Sequence, residues 1–215
     1  MALSEPFEDF VTPSVNVEGA QPLVVIELSS TPTPTFIEKC RGVPGERSPA
    51  RVAWKQIIVS GILAFLGIFA IAMPLHGSAG DDVFMILGSF GASAALLYGA
   101  PEAALSQPRN LVGGHVFSAI IGVAVRLFGE AIEFGVWFTA PLAVGASISF
   151  MQATQTLHPP GAATALIAVI GNQRVRDLGF MYVLTPSLVG ALIMLLVAVV
   201  GNNLSGIRRY PKFWW

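Results

Sequence analysis

The sequence has little charge and almost no cysteine. Only 12% of its 215 residues are charged, about half the roughly 25% that is usual in soluble domains. The single cysteine, Cys40, excludes an intrachain disulfide and a cysteine-rich metal site. Phosphate-binding loops, nucleophile elbows and histidine pairs at helical spacing are missing, as is a basic stripe interleaved with aromatics. We therefore expect no enzyme activity, no cofactor, no bound metal and no nucleic-acid partner.

Long apolar segments are what the sequence has instead. Hydrophobic residues make up 53% of the chain, and the mean hydropathy is +0.68. Several segments approach the roughly 20 residues that a membrane-spanning helix needs, which predicts an all-α, polytopic membrane protein. They cover residues 57–75, 83–100, 111–129, 134–156 and 180–203, with a shorter segment at 161–171.

Charge divides the chain unevenly. Residues 1–50 carry seven acidic and three basic groups and are rich in Pro, Thr and Ser, a composition typical of disorder. We predict a disordered acidic N-terminal tail over residues 1–50 and a transmembrane domain over 51–207. Residues 208–215 combine cations with aromatics and are predicted to anchor the chain at the membrane interface.

Two sequence echoes suggest an internal repeat of three elements each. The small-residue run that begins at Gly91 recurs from Gly161, and a Leu-Val-Gly echo links residues 111–113 with 188–190. Repeats of this kind, with inverted topology and interrupted helices, are common in secondary transporters. We expect broken or re-entrant helices at Gly91 and Gly161, and the topology stays open between six crossings and fewer crossings with re-entrant pieces.

The cluster Leu-His-Pro-Pro-Gly-Ala-Ala-Thr at residues 157–164 predicts a helix break inside the membrane part. Consecutive prolines cannot occupy a helix interior, whereas they suit the first turn of a new helix. A helix start leaves backbone N–H groups unpaired at the positive end of the helix dipole. This pattern predicts a binding site for a small anion, and small residues that serve only close helix packing are the alternative.

Several side chains could complete such a site. His158 could carry a proton coupled to the anion, or it could hydrogen-bond the broken backbone. Arg109 could draw the anion toward the pore, snorkel to lipid headgroups, or pair with Glu102. His115 is expected to be a packed, satisfied histidine. The predicted substrate-binding residues are Ser89, Gly91, Ser93, Arg109, Gln155, His158, Pro160, Gly161 and Thr164.

The motif at residues 157–162 resembles the signature of the HPP family of integral membrane proteins. Residues 89–94, 100–102, 107–110 and 113–115 resemble that family's first conserved block, and the resemblance covers about residues 52–212. It implies a compact protein with about four spans, since that is how family members are described. Because plastid and cyanobacterial members are implicated in nitrite transport, it also implies nitrite as a substrate.

We therefore predict a transporter for a small anion, nitrite or a similar monovalent ion, which would bind near the membrane midplane. The mechanism could be a channel or an alternating-access carrier, and His158 could couple uptake of the anion to uptake of a proton. The partners would be the anion, the proton and the lipid bilayer, with a homo-oligomer left open. The expected location is a plastid inner envelope in a photosynthetic eukaryote, where the protein would serve nitrogen assimilation, or otherwise a bacterial cytoplasmic membrane. The alternative is a membrane scaffold or sensor whose N-terminal tail binds a partner. A third hypothesis is an intramembrane enzyme that uses His158 and Glu102.

Overall fold

The computed structural model describes residues 35–40, 43, 45–75 and 81–215. The chain forms two compact units, Met1–Pro49 and Ala50–Trp215. Within the first unit, the described part contains one short helix, α1 (Phe36–Cys40). The predicted disordered tail otherwise lies mostly outside the described residues.

The described part of the second unit is helical and contains no strand, which confirms the all-α, polytopic fold class. Helix α3 continues directly into a single π-helical turn, Ala95–Gly99, and an irregular helical segment, Val183–Leu188, leads into the last helix. The helices are α2 (Trp54–Ala72), α3 (Asp81–Ala94), α4 (Pro108–Ala131), α5 (Val136–Ala153), α6 (Pro159–Ile170), α7 (Gln173–Asp177) and α8 (Val189–Leu204).

Proline and small polar residues set the helix boundaries. Pro108 opens α4 and two prolines open α6, because a residue without an N–H costs nothing in a first helical turn. The Asn172 side chain caps α7 by accepting the backbone N–H of Val175 at 3.3 Å. Before α8, Thr185 has extended backbone angles next to Pro186, so the last membrane element is kinked near its start.

Side-chain contacts at the helix ends fix the direction of each element. The start of α2, the turn after α3 and the end of α8 meet at Arg208, and the start of α4 lies beside Leu157 in the α5–α6 loop. We call this the first side. The end of α4 meets the start of α5 through Gly129 and Thr139, and it meets α7 through Arg176; this is the second side. Elements α2, α3, α4, α5, α6 and α8 therefore alternate in direction.

Four of these elements are long and apolar enough to cross a membrane: α2, α4, α5 and the combined segment Val183–Leu204. Helix α6 has only 12 residues, about 18 Å at 1.5 Å per residue, against a hydrocarbon core of about 30 Å. Four helices that are long and apolar enough to span agree in number with the spans expected from the resemblance. The other two predicted apolar segments correspond to α3 with its π-helical turn and to α6.

On the second side, an ion cluster joins α4 to α7. The Arg126 guanidinium donates to both carboxylate oxygens of Glu130, at 3.0 and 3.1 Å, and to the Arg176 carbonyl at 3.1 Å. Arg176 also pairs with Glu130 at 2.6 Å. Arginines after α6 therefore lie opposite the first side, as six alternating elements require, and a carboxylate balances part of their charge.

The C-terminal segment folds back onto the first side. The Tyr210 hydroxyl donates to the Ser106 carbonyl at 2.7 Å, and the Lys212 backbone N–H donates to Gln107 at 2.8 Å. Burial raises the pKa of Tyr210, and Tyr98 adds to the effect. Trp214 and Trp215 are exposed, so the predicted interfacial anchor stays a prediction for them, whereas the residues before them dock on the protein.

Arg208 should contribute measurably to stability. Its guanidinium donates to the carbonyls of Tyr98 and Gln56, at 2.8 and 2.7 Å, and to the side chains of Asn202 and Ser60, at 3.2 and 2.7 Å. We expect Arg208→Gln to destabilise the protein by about 1–2 kcal/mol, because several charge-assisted hydrogen bonds are lost. Thermal unfolding in detergent measures the effect.

The neighbouring Arg209 is exposed and provides the matched control. Arg209→Gln removes the same charge and should leave the unfolding temperature nearly unchanged. Equal effects of the two substitutions would show that net charge, not the hydrogen-bond set of Arg208, stabilises this end of the bundle.

The helix start predicted at Gly91 is wrong. Gly91 lies inside the uninterrupted helix α3, near its end, whereas Gly161 lies in the first turn of α6. The echo between these glycines reflects small-residue composition rather than equivalent positions. Pro108 and Pro186, by contrast, both lie at the start of the third element of their half. The halves run in opposite directions, the order that the predicted repeat requires.

Candidate functional site

The start of α6 is the centre of the site. His158 immediately precedes the helix and Pro159 and Pro160 form its first turn, which confirms the predicted break. The Gly161 N–H donates to the His158 carbonyl at 2.8 Å. Since proline has no N–H, two of the predicted free donors do not exist and the third is paired. The prediction of an anion cradle built from backbone donors is therefore wrong, and only the helix dipole remains.

Glycines bring α6 against α4 with almost no space between the backbones. A Cβ on Gly161 would lie 2.6 Å from the Gly114 carbonyl oxygen, and one on Gly122 would lie 2.6 Å from the Ala165 carbonyl oxygen. A Cβ on Gly114 would overlap the His158 side chain. These glycines serve close helix packing, the alternative stated for them above.

Close packing of α3, α4 and α6 encloses a chain of hydrogen-bonded side chains, which we call the histidine cluster: Ser93, His115, His158 and Thr164. Ser93 Oγ lies 2.8 Å from His115 Nε2 and 2.9 Å from His158 Nε2. His115 Nδ1 lies 2.8 Å from Thr164 Oγ1. His158 Nδ1 lies 2.9 Å from the Leu105 carbonyl oxygen. All four ring nitrogens thus have a partner.

The histidine cluster is sealed from solvent. Ser93, His115 and His158 are completely buried and Thr164 is 2% exposed. Phe90 packs against His115 with ring centroids 4.9 Å apart, and the two imidazole rings lie 5.2 Å apart. The hydrogen bonds of both rings go to hydroxyl and carbonyl oxygens rather than to carboxylates, so any proton added to the cluster brings an uncompensated charge.

The histidine cluster lies inside the bundle, at some depth from the first side. His158 contacts Gly114, six residues after the start of α4, which corresponds to about 9 Å along the helix axis.

Two imidazoles and two hydroxyls are not a typical zinc ligand set, and in the described ranges no three His, Cys, Asp or Glu side chains come together.

The predicted site residues fall into two groups. Ser93, His158 and Thr164 belong to the histidine cluster, and Pro160 and Gly161 form the helix turn between them. Ser89 is buried one turn before Ser93, and its carbonyl accepts from Ser93 Oγ at 3.3 Å. Gly91 is exposed and faces open space, so it does not line this site.

Arg109 and Gln155 form the second group, away from the cluster. Arg109 donates to Gln155 at 3.5 Å, and it lies about 120° around α4 from His115 at 100° per residue. Arg109 lines an apolar cavity of about 330 Å³ together with Phe117, Trp214 and others. The alternative of an ion pair between Arg109 and Glu102 is wrong, since Glu102 pairs with Lys212 at 3.1 Å.

His115 is the functional candidate that sequence reasoning assigned only to packing. The available signal was its position, because an ionisable side chain inside a membrane helix is a functional hypothesis by default. It follows Gly113 and Gly114, so a close neighbour was foreseeable. Which neighbour it would meet was not, because Ser93 and Thr164 come from two other helices.

The chain is similar to one family of membrane proteins and to two curated transmembrane proteins. The family described as HPP, transmembrane region, matches residues 49–211. Two curated proteins of Dictyostelium discoideum, both described as transmembrane proteins, are 41% identical to the chain over 182 residues. The match covers 84% of this chain but 57% and 63% of those proteins, so the chain spans less than two thirds of their length. No solved structure matches significantly. The chain belongs to the HPP family of integral membrane proteins.

Proposed function

We propose that this protein transports a small monovalent anion across its membrane together with a proton, and that the anion is nitrite or an ion of similar size. The histidine cluster is the observation that carries the proposal. It places two titratable rings, joined by one hydroxyl, in the interior of a membrane protein, with His158 at a break before a short helix.

Burial of such groups supports a functional role. Polar and ionisable side chains in membrane interiors are costly, and they commonly mark ion pathways and proton relays. Leucine or phenylalanine at positions 115 and 158 would fill the space between α3, α4 and α6 without any hydrogen-bond requirement. The presence of two buried imidazoles at these positions therefore supports a role in proton binding.

Charge in a low-dielectric interior explains why proton and anion would move together. A proton on the histidine cluster is uncompensated, and an anion that enters beside it removes most of that cost. The positive end of the α6 dipole, at Pro159 and Pro160, favours an anion at the same place. Binding of each ion then increases the affinity for the other, because coupling between two sites is reciprocal.

The nature of the anion comes from the family rather than from the geometry. The resemblance implies nitrite transport, and nitrite is a weak-acid anion that can travel with a proton. Arg109 lies at the start of α4 on the first side, and its charge would favour anions over cations there. Recruitment by Arg109 stays a prediction, and so does the location in a plastid envelope or a bacterial membrane.

Flux into proteoliposomes tests the proposal. We expect the reconstituted protein to accelerate nitrite uptake, and we expect an acidic exterior to increase the initial rate at constant external nitrite. Protein-free liposomes measure the permeation of nitrous acid, which must be subtracted at each pH. Uptake that does not exceed this background under either condition would overturn the transport proposal. Protein-dependent uptake whose rate is the same with and without the pH gradient would support transport but reject its coupling to a proton.

A further inference from the structure

We infer that the histidine cluster is a two-state proton relay that binds one proton and, when it does so, reverses the direction of the three hydrogen bonds that join its side chains. The role of this relay in transport rests on the proposed function. The evidence is the donor and acceptor count of four side chains whose partners the structure fixes.

The count starts at His158. Its Nδ1 faces the Leu105 carbonyl, which can only accept, so Nδ1 carries a hydrogen. In the neutral ring Nε2 is then an acceptor, and Ser93 must donate to it. The Ser93 hydroxyl has one hydrogen, so it can only accept from the other ring. His115 therefore carries its hydrogen on Nε2.

The same argument applies to the last two members of the cluster, His115 and Thr164. With Nε2 of His115 protonated, its Nδ1 is an acceptor, and the Thr164 hydroxyl donates to it. The neutral cluster is thus a single directed series: Thr164 donates to His115, His115 to Ser93, Ser93 to His158, and His158 to the Leu105 carbonyl. Every donor and acceptor is used once.

Adding one proton reverses the series without breaking a contact. A proton taken up by Thr164 Oγ1 displaces that group's own hydrogen to His115 Nδ1. The Nε2 hydrogen of His115 moves to Ser93, and the Ser93 hydrogen moves to His158 Nε2. Each side chain that gains a hydrogen also loses one, except His158, which becomes the cation. Thr164 then donates to the Pro160 carbonyl, 3.4 Å away.

A second proton would not be accommodated. It would place two positive charges on rings 5.2 Å apart and leave Ser93 between two donors, with only the more distant Ser89 carbonyl to accept its hydrogen. The relay therefore holds one proton that both histidines share through Ser93. This identifies Ser93 and His115, not His158 alone, as the residues on which proton binding depends.

The hydrogen bonds of the two rings go to hydroxyl and carbonyl oxygens and to no other ionisable side chain. The Tyr182 hydroxyl donates to the Thr164 backbone carbonyl at 3.2 Å and can exchange no proton through it. Helices α5 and α8 contain no ionisable residue, and α6 contains none either. The other ionisable residues of the surrounding elements are Tyr98 after α3, Glu102 before α4, Arg109, Arg126 and Glu130 on α4, and residues 81 and 82 at the far start of α3.

Nitrogen-15 NMR of the full chain in lipid nanodiscs tests the relay. Labelled histidine in a His76→Gln background leaves two rings to observe. Near neutral pH we expect hydrogen on Nδ1 of His158 and on Nε2 of His115. On acidification we expect one proton per chain to bind, and the hydrogen of His115 to move from Nε2 to Nδ1 in the same step that makes His158 a cation.

Two variants make the test specific. Ser93→Ala should uncouple the rings, so that the tautomer of His115 no longer follows the charge of His158. Ser118→Ala removes another fully buried serine, on α4, and should titrate like the parent. Independent binding of two protons, or a His115 hydrogen that stays on Nε2, would overturn the relay. Because the readout needs no substrate, a relay without nitrite flux would reject only the proposed function, and flux without tautomer exchange would reject only the relay.

Discussion

Replacing Gly161 by alanine is expected to destabilise the protein strongly, by about 2–3 kcal/mol, the upper part of the range for overpacked sites. The added methyl group would meet the Gly114 carbonyl carbon at 2.8 Å and the carbonyl oxygen at 2.6 Å. Backbone atoms cannot turn away as a side chain could, so α6 would have to move away from α4. Thermal unfolding in detergent, followed by the loss of the monodisperse chromatographic peak, measures the effect.

Gly91 provides a matched control for this substitution. It belongs to the sequence run that echoes Gly161, yet a Cβ there meets nothing within 4 Å. Gly91→Ala should be neutral or stabilise α3 by up to about 1 kcal/mol, because alanine favours helix interiors. A Gly161→Ala protein that unfolds at the parent temperature would contradict the close α4–α6 packing.

Removing the Ser93 hydroxyl is expected to reduce the gradient-driven part of nitrite uptake about tenfold or more, which corresponds to about 1.4 kcal/mol. Ser93→Ala leaves the Nε2 atoms of His115 and His158 without their shared partner. The two rings can then no longer exchange a proton, although each is still present. Initial uptake rates at matched external nitrite, with and without an acidic exterior, isolate this part of the flux.

Stability must be measured beside transport for this variant, because two unpaired ring nitrogens cost about 1–3 kcal/mol each. Ser93→Thr keeps a hydroxyl and should recover a large part of the gradient response. Ser118→Ala should behave like the parent in both assays, since Ser118 donates to the Met151 sulfur at 3.6 Å and has no bond to the relay. If the Ser93→Ala protein is folded and keeps the full response to the pH gradient, the histidine cluster does not couple nitrite uptake to the proton.

Local rules made the membrane elements predictable. All six apolar segments are helices in the structure, and the helix break falls at the two prolines as expected, since both depend on nearest neighbours along the chain. The helix start wrongly predicted at Gly91 was inferred from a match in composition, not from a local rule. Small residues in membrane helices occur at packing contacts, at lipid-facing positions and at helix starts alike, so a composition match does not identify equivalent backbone positions.

The candidate site was predictable only in part, for a similar reason. Ser93, His158 and Thr164, three of the predicted site residues, lie in one hydrogen-bonded cluster, although the donors expected from the helix start are absent. Arg109 was chosen for its charge, yet its face of α4 is directed toward an apolar cavity and the C-terminal tryptophans. Charge along a sequence does not reveal which face of a helix a residue occupies relative to helices that have not yet been placed.

By itself the sequence determined that this chain is an integral membrane protein of alternating apolar helices, with an interruption before Pro159. Hydropathy and the missing proline N–H are enough for both conclusions. Tertiary structure alone decided which buried polar groups meet. Ser93, His115 and His158 are 22 and 43 residues apart in consecutive steps, and they touch because glycines on α4 and α6 let two backbones approach within the width of a side chain. Once there is no space for water, each buried donor must find a protein acceptor, and that requirement fixes the direction of the hydrogen-bond series.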